Sequence, residues 1–314
     1  MTILNQKIPF EIIVILLVIF GVLSACSIVF YFLYKKKKTN LLKELIVRVN
    51  SWWKLAFGVA VVITFPPIYG TIIIAYVSFV ALREMFSISR IRSSDRNALF
   101  LGYFSIPVQY YFAYMGFYEP FLYFIPMVMF ISLTIVLVLS GDTTRIGISM
   151  SIIPTMLMLT VYMLSHIVLL FNFDSPSLNI HGGSLIIFLI MLTAFNDVFQ
   201  FTWGKLLGKR KILPKVSPNK TWAGFIGGIL TTAVLAVLIR FLTPLSIFES
   251  FLIGLLIGIF GFLGDVLISS IKRDLRIKDT DDLIPGHGGA MDRLDSIILT
   301  APIFFHVLKF FIEK

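Results

Sequence analysis

Residues 269–296 read SSIKRDLRIKDTDDLIPGHGGAMDRLDS, which sets Lys272, Arg273, Arg276, Lys278 and Arg293 among six aspartates. The chain is 58% hydrophobic and only 14% charged, so such a concentration marks a stretch that binds or transforms something polar. Just upstream, in GFLGD, Asp265 lies about one turn inside the end of an apolar run. An unpaired carboxylate there costs about 3 kcal/mol and is a functional candidate by default. On a helix Asp265, Ser269 and Lys272 share one face, with Arg273 and Arg276 beside it. An acid below and cations above suit a metal-bound phosphate.

Downstream, Pro285, Gly286, Gly288 and Gly289 surround His287, which predicts a tight turn whose amides approach a ligand closely. The chain then enters a helix carrying Asp292 and Asp295 near its start. Asp265 at the end of one helix and Asp292 at the beginning of the next are placed to converge on one cation. Few oxygen ligands, with substrate phosphates filling the remaining positions, suit Mg²⁺; a second cation such as K⁺ is expected beside it. Singly, each feature has an ordinary explanation. Acids in a first turn complement the helix dipole, Lys272, Arg273 and Arg276 anchor a membrane helix, and a lone His287 is a satisfied loop histidine. Their clustering in one stretch favours chemistry.

A second polar segment, residues 195–228, contains VSPNKTWAG. Ser217, Asn219, Lys220 and Thr221 stand immediately before an apolar helix, where hydroxyls and free amides hold a phosphate and Lys220 supplies a point charge. The glycines do not form a Walker loop. Alternatively, Ser217 and Thr221 are caps and Lys209, Arg210 and Lys211 are anchors. Asn196 and Asp197 either line the site or make a helix–helix contact.

The elements that position these residues must be membrane helices. The chain has 314 residues, 15% of them aromatic, and a mean hydropathy of +0.93. Each crossing of a hydrocarbon core about 30 Å thick takes roughly 20 apolar residues, and about ten such runs recur, at 11–34, 53–65, 68–80, 99–115, 121–139, 148–170, 184–201, 221–242, 246–269 and 297–311. The predicted fold is all-α, a polytopic helical bundle. The second and third runs are short and meet at Pro66-Pro67, which reads as one hairpin or a re-entrant pair. The first run is followed by YKKKKTN without a small-residue cleavage pattern and reads as a retained anchor. Lone Cys26 excludes a disulfide framework. Three regions are expected: 1–54 as an N-terminal anchor with a basic segment, 55–190 as a multi-span region, and 191–314 as the catalytic region.

The net charge of +10 is distributed by topology. If Lys35 to Lys38 are cytoplasmic and the runs alternate, all of the 27 Lys and Arg except Lys7, Arg240, Lys309 and Lys314 fall in or beside cytoplasmic segments. That pattern points to anionic lipid headgroups rather than nucleic acid. It also places both polar segments on the cytoplasmic side, separated by one hydrophobic hairpin that folds them together.

The stretch from Ser269 through Asp295 closely resembles the signature of the phosphatidate cytidylyltransferase (CDP-diacylglycerol synthase) family, in which Ser-x-hydrophobic-Lys-Arg leads through Lys-Asp to Pro-x-His-Gly-Gly and Asp-Arg-x-Asp. VSPNKTWAG resembles the family's Ser-Pro-x-Lys-Thr-x-x-Gly element, and GFLGD the glycine-aspartate before the signature. The resemblance covers roughly the C-terminal 120 residues. It implies Asp265 and Asp292 as metal ligands and, with Lys272 and Arg273, as the catalytic set. It further implies Ser217, Asn219, Lys220, Thr221, Ser269, Lys278, Asp279, His287, Gly288, Gly289 and Arg293 as substrate contacts, and Asp197, outside those motifs, is expected to join them. Two positions depart from the pattern: Ala223 stands where many members have glutamate, and Asp281 where the residue is usually small. They point to a divergent bacterial branch.

The implied reaction moves CMP from CTP to phosphatidic acid or a related lipid phosphate, in the bacterial inner membrane, with a homodimer as a further expectation. Two rivals stand beside it. A CTP-dependent polyprenol or phytol kinase uses γ-phosphate chemistry. A transporter normally shows repeated halves and charges at the midplane, whereas here the charges stack on one face.

Overall fold

The computed structural model describes residues 2–3, 6–7, 9–38, 40–89, 91–173, 181–277, 280 and 289–313. Ten helical runs dominate them, one for each apolar run of the sequence. Helix α1 spans Phe10–Lys36, α2 Asn40–Thr64, α3 Pro67–Ile88 and α4 Arg96–Met115. Helix α5 (Tyr118–Tyr123) passes through a π turn at Phe124–Met129 into α6 (Phe130–Leu139). Likewise α7 (Ile146–Leu157) passes through a π turn at Met158–Tyr162 into α8 (Met163–Leu169). Each π turn lies at or just after a proline, Pro126 or Pro154, whose missing N–H interrupts the regular ladder. The last four helices are α9 (Gly182–Leu207), α10 (Trp222–Leu238), α11 (Ile247–Asp274) and α12 (Met291–Ile312). Strands β1 (Thr2–Ile3) and β2 (Gln6–Lys7) pair antiparallel, as do β3 (Lys211–Leu213) and β4 (Ser217–Thr221).

Eight of the runs are long and apolar enough to cross a membrane; the others are α4 and the 17-residue α10. The short second and third runs of the sequence belong to full helices of 25 and 22 residues. A re-entrant pair is therefore replaced by two complete helices. Their apolar runs look short because Lys54 interrupts one and Arg83-Glu84 the other, but neither residue breaks a helix. The break falls at Pro66-Pro67, with Pro67 in the first turn of α3, where its missing N–H is harmless. Helix α2 passes residue 54 without interruption and leans on α1 through Trp53, whose Nε1 donates to Ser27 Oγ at 3.0 Å.

Helices α9 to α12 form the tightest part of the bundle. Small residues let their backbones approach: a Cβ on Gly254 of α11 would meet Ala233 and Ala236 of α10. Helix α12 sits among α3, α8, α9 and α11, and its Phe304 is fully buried against Phe188 of α9, with ring centroids 5.6 Å apart. By contrast α1 leaves Leu17, Val18, Val22, Ile28 and Val29 exposed, as expected of a helix facing hydrocarbon.

Candidate active site

Helix α11 begins with a capping box between Ser246 and Glu249 and continues past the end of its apolar run to Asp274. Asp265 therefore lies about two and a half turns inside the helix rather than one. Ser269, one turn on, donates its hydroxyl to Asp265 Oδ1 at 3.1 Å. The other oxygen faces Lys220 of β4, whose Nζ is 2.6 Å from Oδ2. The Lys220 ammonium also stands 4.5 Å from the centroid of the Phe262 ring, so its remaining face is held by a cation–π contact.

The second pair is assembled at the start of α12. Lys272, in the last turn of α11, places Nζ 2.6 Å from Asp292 Oδ1. Asp292 Oδ2 accepts from the Thr280 amide at 3.0 Å, the Thr280 hydroxyl at 3.1 Å and the Gly289 amide at 3.2 Å. Gly289 is required at this point. A Cβ there would run into the Thr280 hydroxyl and the carboxylate of Glu84, which arrives from α3 and accepts the Ala290 amide at 2.7 Å and the Met291 amide at 3.1 Å.

Two further acids complete the cluster. Ser296 donates its amide to Asp295 Oδ1 at 2.7 Å and its hydroxyl to both oxygens of Asp197, each at 3.1 Å. Asp295 is within electrostatic range of Asp265, Asp197 and Lys272, so the two lysine–aspartate pairs and the two extra carboxylates share one region. Asn196 turns the other way. Its amide donates to the Gly258 carbonyl and its oxygen accepts from Thr232, which makes it a contact among α9, α10 and α11, while Asp197 meets α12 through Ser296.

The remaining sequence candidates divide. Thr221, 2% exposed, caps α10 by accepting the Gly224 amide at 3.2 Å, so its hydroxyl serves the helix. Ser217 and Asn219 lie in β4, and Ser217 pairs with Leu213 across the hairpin, a strand pairing that the sequence reading did not include. Arg273 donates Nε to the Val216 carbonyl and Nη1 to the Ile277 carbonyl, which ties the hairpin to the end of α11. The two polar segments of the sequence thus meet physically through Arg273 and Lys220. Arg293 is exposed on the first turn of α12. Lys278, Asp279, Asp281, His287 and Gly288 lie outside the described residues. Glu84 and Thr280 escaped the sequence reading. Glu84 carried one signal, an acid beside Arg83 with apolar residues on both sides of the pair in ALREMF, hidden because the third apolar run ends at Val80.

The donor set fits a hard divalent cation whose shell is completed by substrate. Among the described residues, both oxygens of Asp265 accept only one hydrogen bond each and keep a lone pair; of Asp292 only Oδ1 does, because Oδ2 accepts three. Among the described residues no group of three or more His, Cys, Asp or Glu side chains forms a ready-made metal cage. A cation here would take few protein ligands.

Residues 46–311 match the Cytidylyltransferase family. The chain belongs to the cytidylyltransferase family. It is accordingly a nucleotidyltransferase, and the resemblance read from the C-terminal motifs extends through most of the N-terminal helices. The chain is 40% identical over 269 residues to the uncharacterized protein YnbB of Escherichia coli K12, covering 85% of this chain and 88% of that protein. It is 45% identical over 119 residues to the phosphatidate cytidylyltransferase of Rickettsia bellii, and 37% identical over 137 residues to that of Bacillus subtilis. Those alignments cover 35% and 43% of this chain and about half of each enzyme, 52% and 51%. A divergent branch of the family accounts for both similarities.

Proposed function

We propose that the protein transfers CMP from CTP to phosphatidic acid, giving CDP-diacylglycerol and pyrophosphate. The observation that carries this reading is the convergence of the Lys220–Asp265 and Lys272–Asp292 pairs, with Asp197 and Asp295, at one end of the α9–α12 bundle. A lipid headgroup and a nucleotide triphosphate both bring negative charge to such a place. Cations neutralise it, and the acids hold the cations in position.

In the reaction an oxygen of the lipid phosphate attacks the α-phosphorus of CTP. The bond from that phosphorus to the bridging oxygen of the β,γ-pyrophosphate breaks, and pyrophosphate leaves with the electron pair. The nucleophile is already an anion, so no strong base is required; repulsion between anions is the main obstacle. Positioning and charge neutralisation therefore supply most of the rate. Lys272 and Lys220 are the phosphate partners in this reading, each on a short tether to an aspartate. Arg273 holds the hairpin carrying Lys220 against α11. Asp265 and Asp292 would hold Mg²⁺, which when bound supplies charge neutralisation on the phosphate oxygens. The lipid enters sideways between helices, and the site faces the cytoplasm of a bacterial inner membrane, where CTP is available.

The test uses purified full-length protein in phosphatidate-containing micelles with Mg²⁺ and CTP labelled in the cytosine ring or at the γ-phosphate. Ring label in the lipid and γ label in pyrophosphate is the expected result. CDP and a phosphorylated alcohol would assign a lipid kinase instead.

A further inference from the structure

We infer that Glu84 is a positioning residue for Asp292, an assignment that rests on the proposed CMP transfer for its kinetic readout but not for its structural one. Glu84 belongs to α3, about two hundred residues before the signature, and is only 3% exposed. Its Oε2 accepts the Ala290 amide at 2.7 Å and its Oε1 the Met291 amide at 3.1 Å. The preceding amide, Gly289, goes to Asp292 Oδ2. Three consecutive amides at the start of α12 are therefore taken by two carboxylates, one from α3 and one from α12 itself.

The chemistry of that arrangement is specific. The first amides of a helix lack partners within it and carry partial positive charge, so an acceptor-only carboxylate suits them. Among the described residues, the Glu84 carboxylate bonds only to these two backbone amides. A glutamine in its place would aim an NH₂ donor at one of them. Gly289 has the complementary requirement, because a Cβ there would strike Glu84 Oε1.

The consequence falls on Asp292. Its bonds to Lys272 and Thr280 require α12 to begin at a fixed residue. Each residue by which the start slips turns Asp292 by about 100° around the helix axis. Glu84 fixes that start, and so couples an N-terminal helix to the charged cluster without joining it.

The experiment compares wild-type full-length protein with Glu84→Gln, Glu84→Asp and Gly289→Ala in phosphatidate-containing micelles. It measures amide hydrogen exchange of residues 289–293 alongside kcat and KM for CTP. Glu84→Gln, close to isosteric, is expected to speed exchange there about tenfold and lower kcat at least about tenfold, with KM within about threefold. Glu84→Asp keeps the charge and should recover part of the lost rate; Gly289→Ala, pressing on the same contact, should reproduce the fast exchange. Wild-type exchange and kcat in Glu84→Gln would overturn the assignment, as would a lowered melting temperature with both unchanged. If wild-type protein itself transfers no CMP, the functional reading fails, and the exchange of residues 289–293 still judges Glu84.

Discussion

The two ends of α12 carry polar clusters of opposite character. At the Met291 end, Asp292 and Asp295 join Asp265, Asp197, Lys220 and Lys272, all ionisable and drawn from α9, β4, α11 and α12. Toward the Ile312 end, His306 lies beside His166 of α8, ring centroids 5.1 Å apart, and its Nδ1 is 3.3 Å from the Tyr118 hydroxyl. His166 is fully buried, donates Nδ1–H to the Tyr162 carbonyl at 2.9 Å, and is met edge-on by Phe121 and Tyr162, each at 4.9 Å. Its Nε2 has no partner among the described residues. The first cluster holds charges on short, partly exposed tethers that a ligand can reorganise. The second packs aromatic and imidazole rings edge to face against one another. A polar residue inside a membrane helix is therefore no marker of chemistry by itself; convergence of opposite charges from separate elements is.

The comparison is tested most severely at its charged end. Asp265→Ala and Asp292→Ala should each lower CMP transfer by on the order of 10³-fold, while size-exclusion profiles and helical content in micelles stay as in wild type. Transfer persisting in both variants would remove the site. Lys272→Ala and Lys220→Ala should cost about 10²-fold each, because each removes a phosphate partner and frees an aspartate at once. At the other end of α12, His166→Leu and His306→Leu should leave turnover within about twofold and alter only the thermal midpoint, since His166 is buried, His306 is half-buried, and both contact rings rather than the charged cluster. A large loss of turnover in either histidine variant would erase the distinction between the two ends.

The sequence already carried most of this contrast. Every apolar run became a helix, because length and hydropathy alone decide that a backbone in lipid must satisfy itself internally. The pairing of Ser269 with Asp265 follows from helical spacing. What spacing could not show is which cation meets which acid. Lys220 reaches Asp265 because the segment before α10 folds as a hairpin on β3, and the sequence around Ser217 gives no alternating pattern that would announce a strand. The role of Glu84 was illegible for another reason. Its partners are backbone amides, which have no sequence signature, and they lie in a helix at the far end of the chain. Ends of elements were misjudged where a charge interrupts an apolar run without breaking the helix, as at Lys54 and beyond Ser269.

The mildest expected effect on turnover comes from a charged pair that lies outside the site. Asp95, between α3 and α4, accepts from Arg92 Nη2 at 2.6 Å, from the Arg92 amide at 3.2 Å and from Ser149 Oγ at 2.6 Å. Arg92 Nη1 in turn donates to the carbonyls of Asp142 and Thr144, so one ion pair fastens the turn before α4 to the turn before α7. Burial opposes ionisation of Asp95, but the bonds from Arg92 and Ser149 outweigh it and hold the carboxyl below its ordinary value of 3.8. A carboxyl lowered on folding stabilises the protein at every pH above its unfolded value, and that contribution is lost as pH falls through the lower folded value. The wild-type midpoint attributable to this group should be flat from neutral pH down to about 5 and decline below about 4. Asp95→Asn should lower the midpoint at neutral pH by roughly 5 °C and flatten the acid decline, with CMP transfer per folded molecule unchanged. This pair differs from the two in the site because its acid is closed off by donors on every side and has no lone pair to offer a ligand. If Asp95→Asn nevertheless abolished transfer in folded protein, convergence of charge would cease to separate site from scaffold, and access to the charges would have to be judged by another criterion.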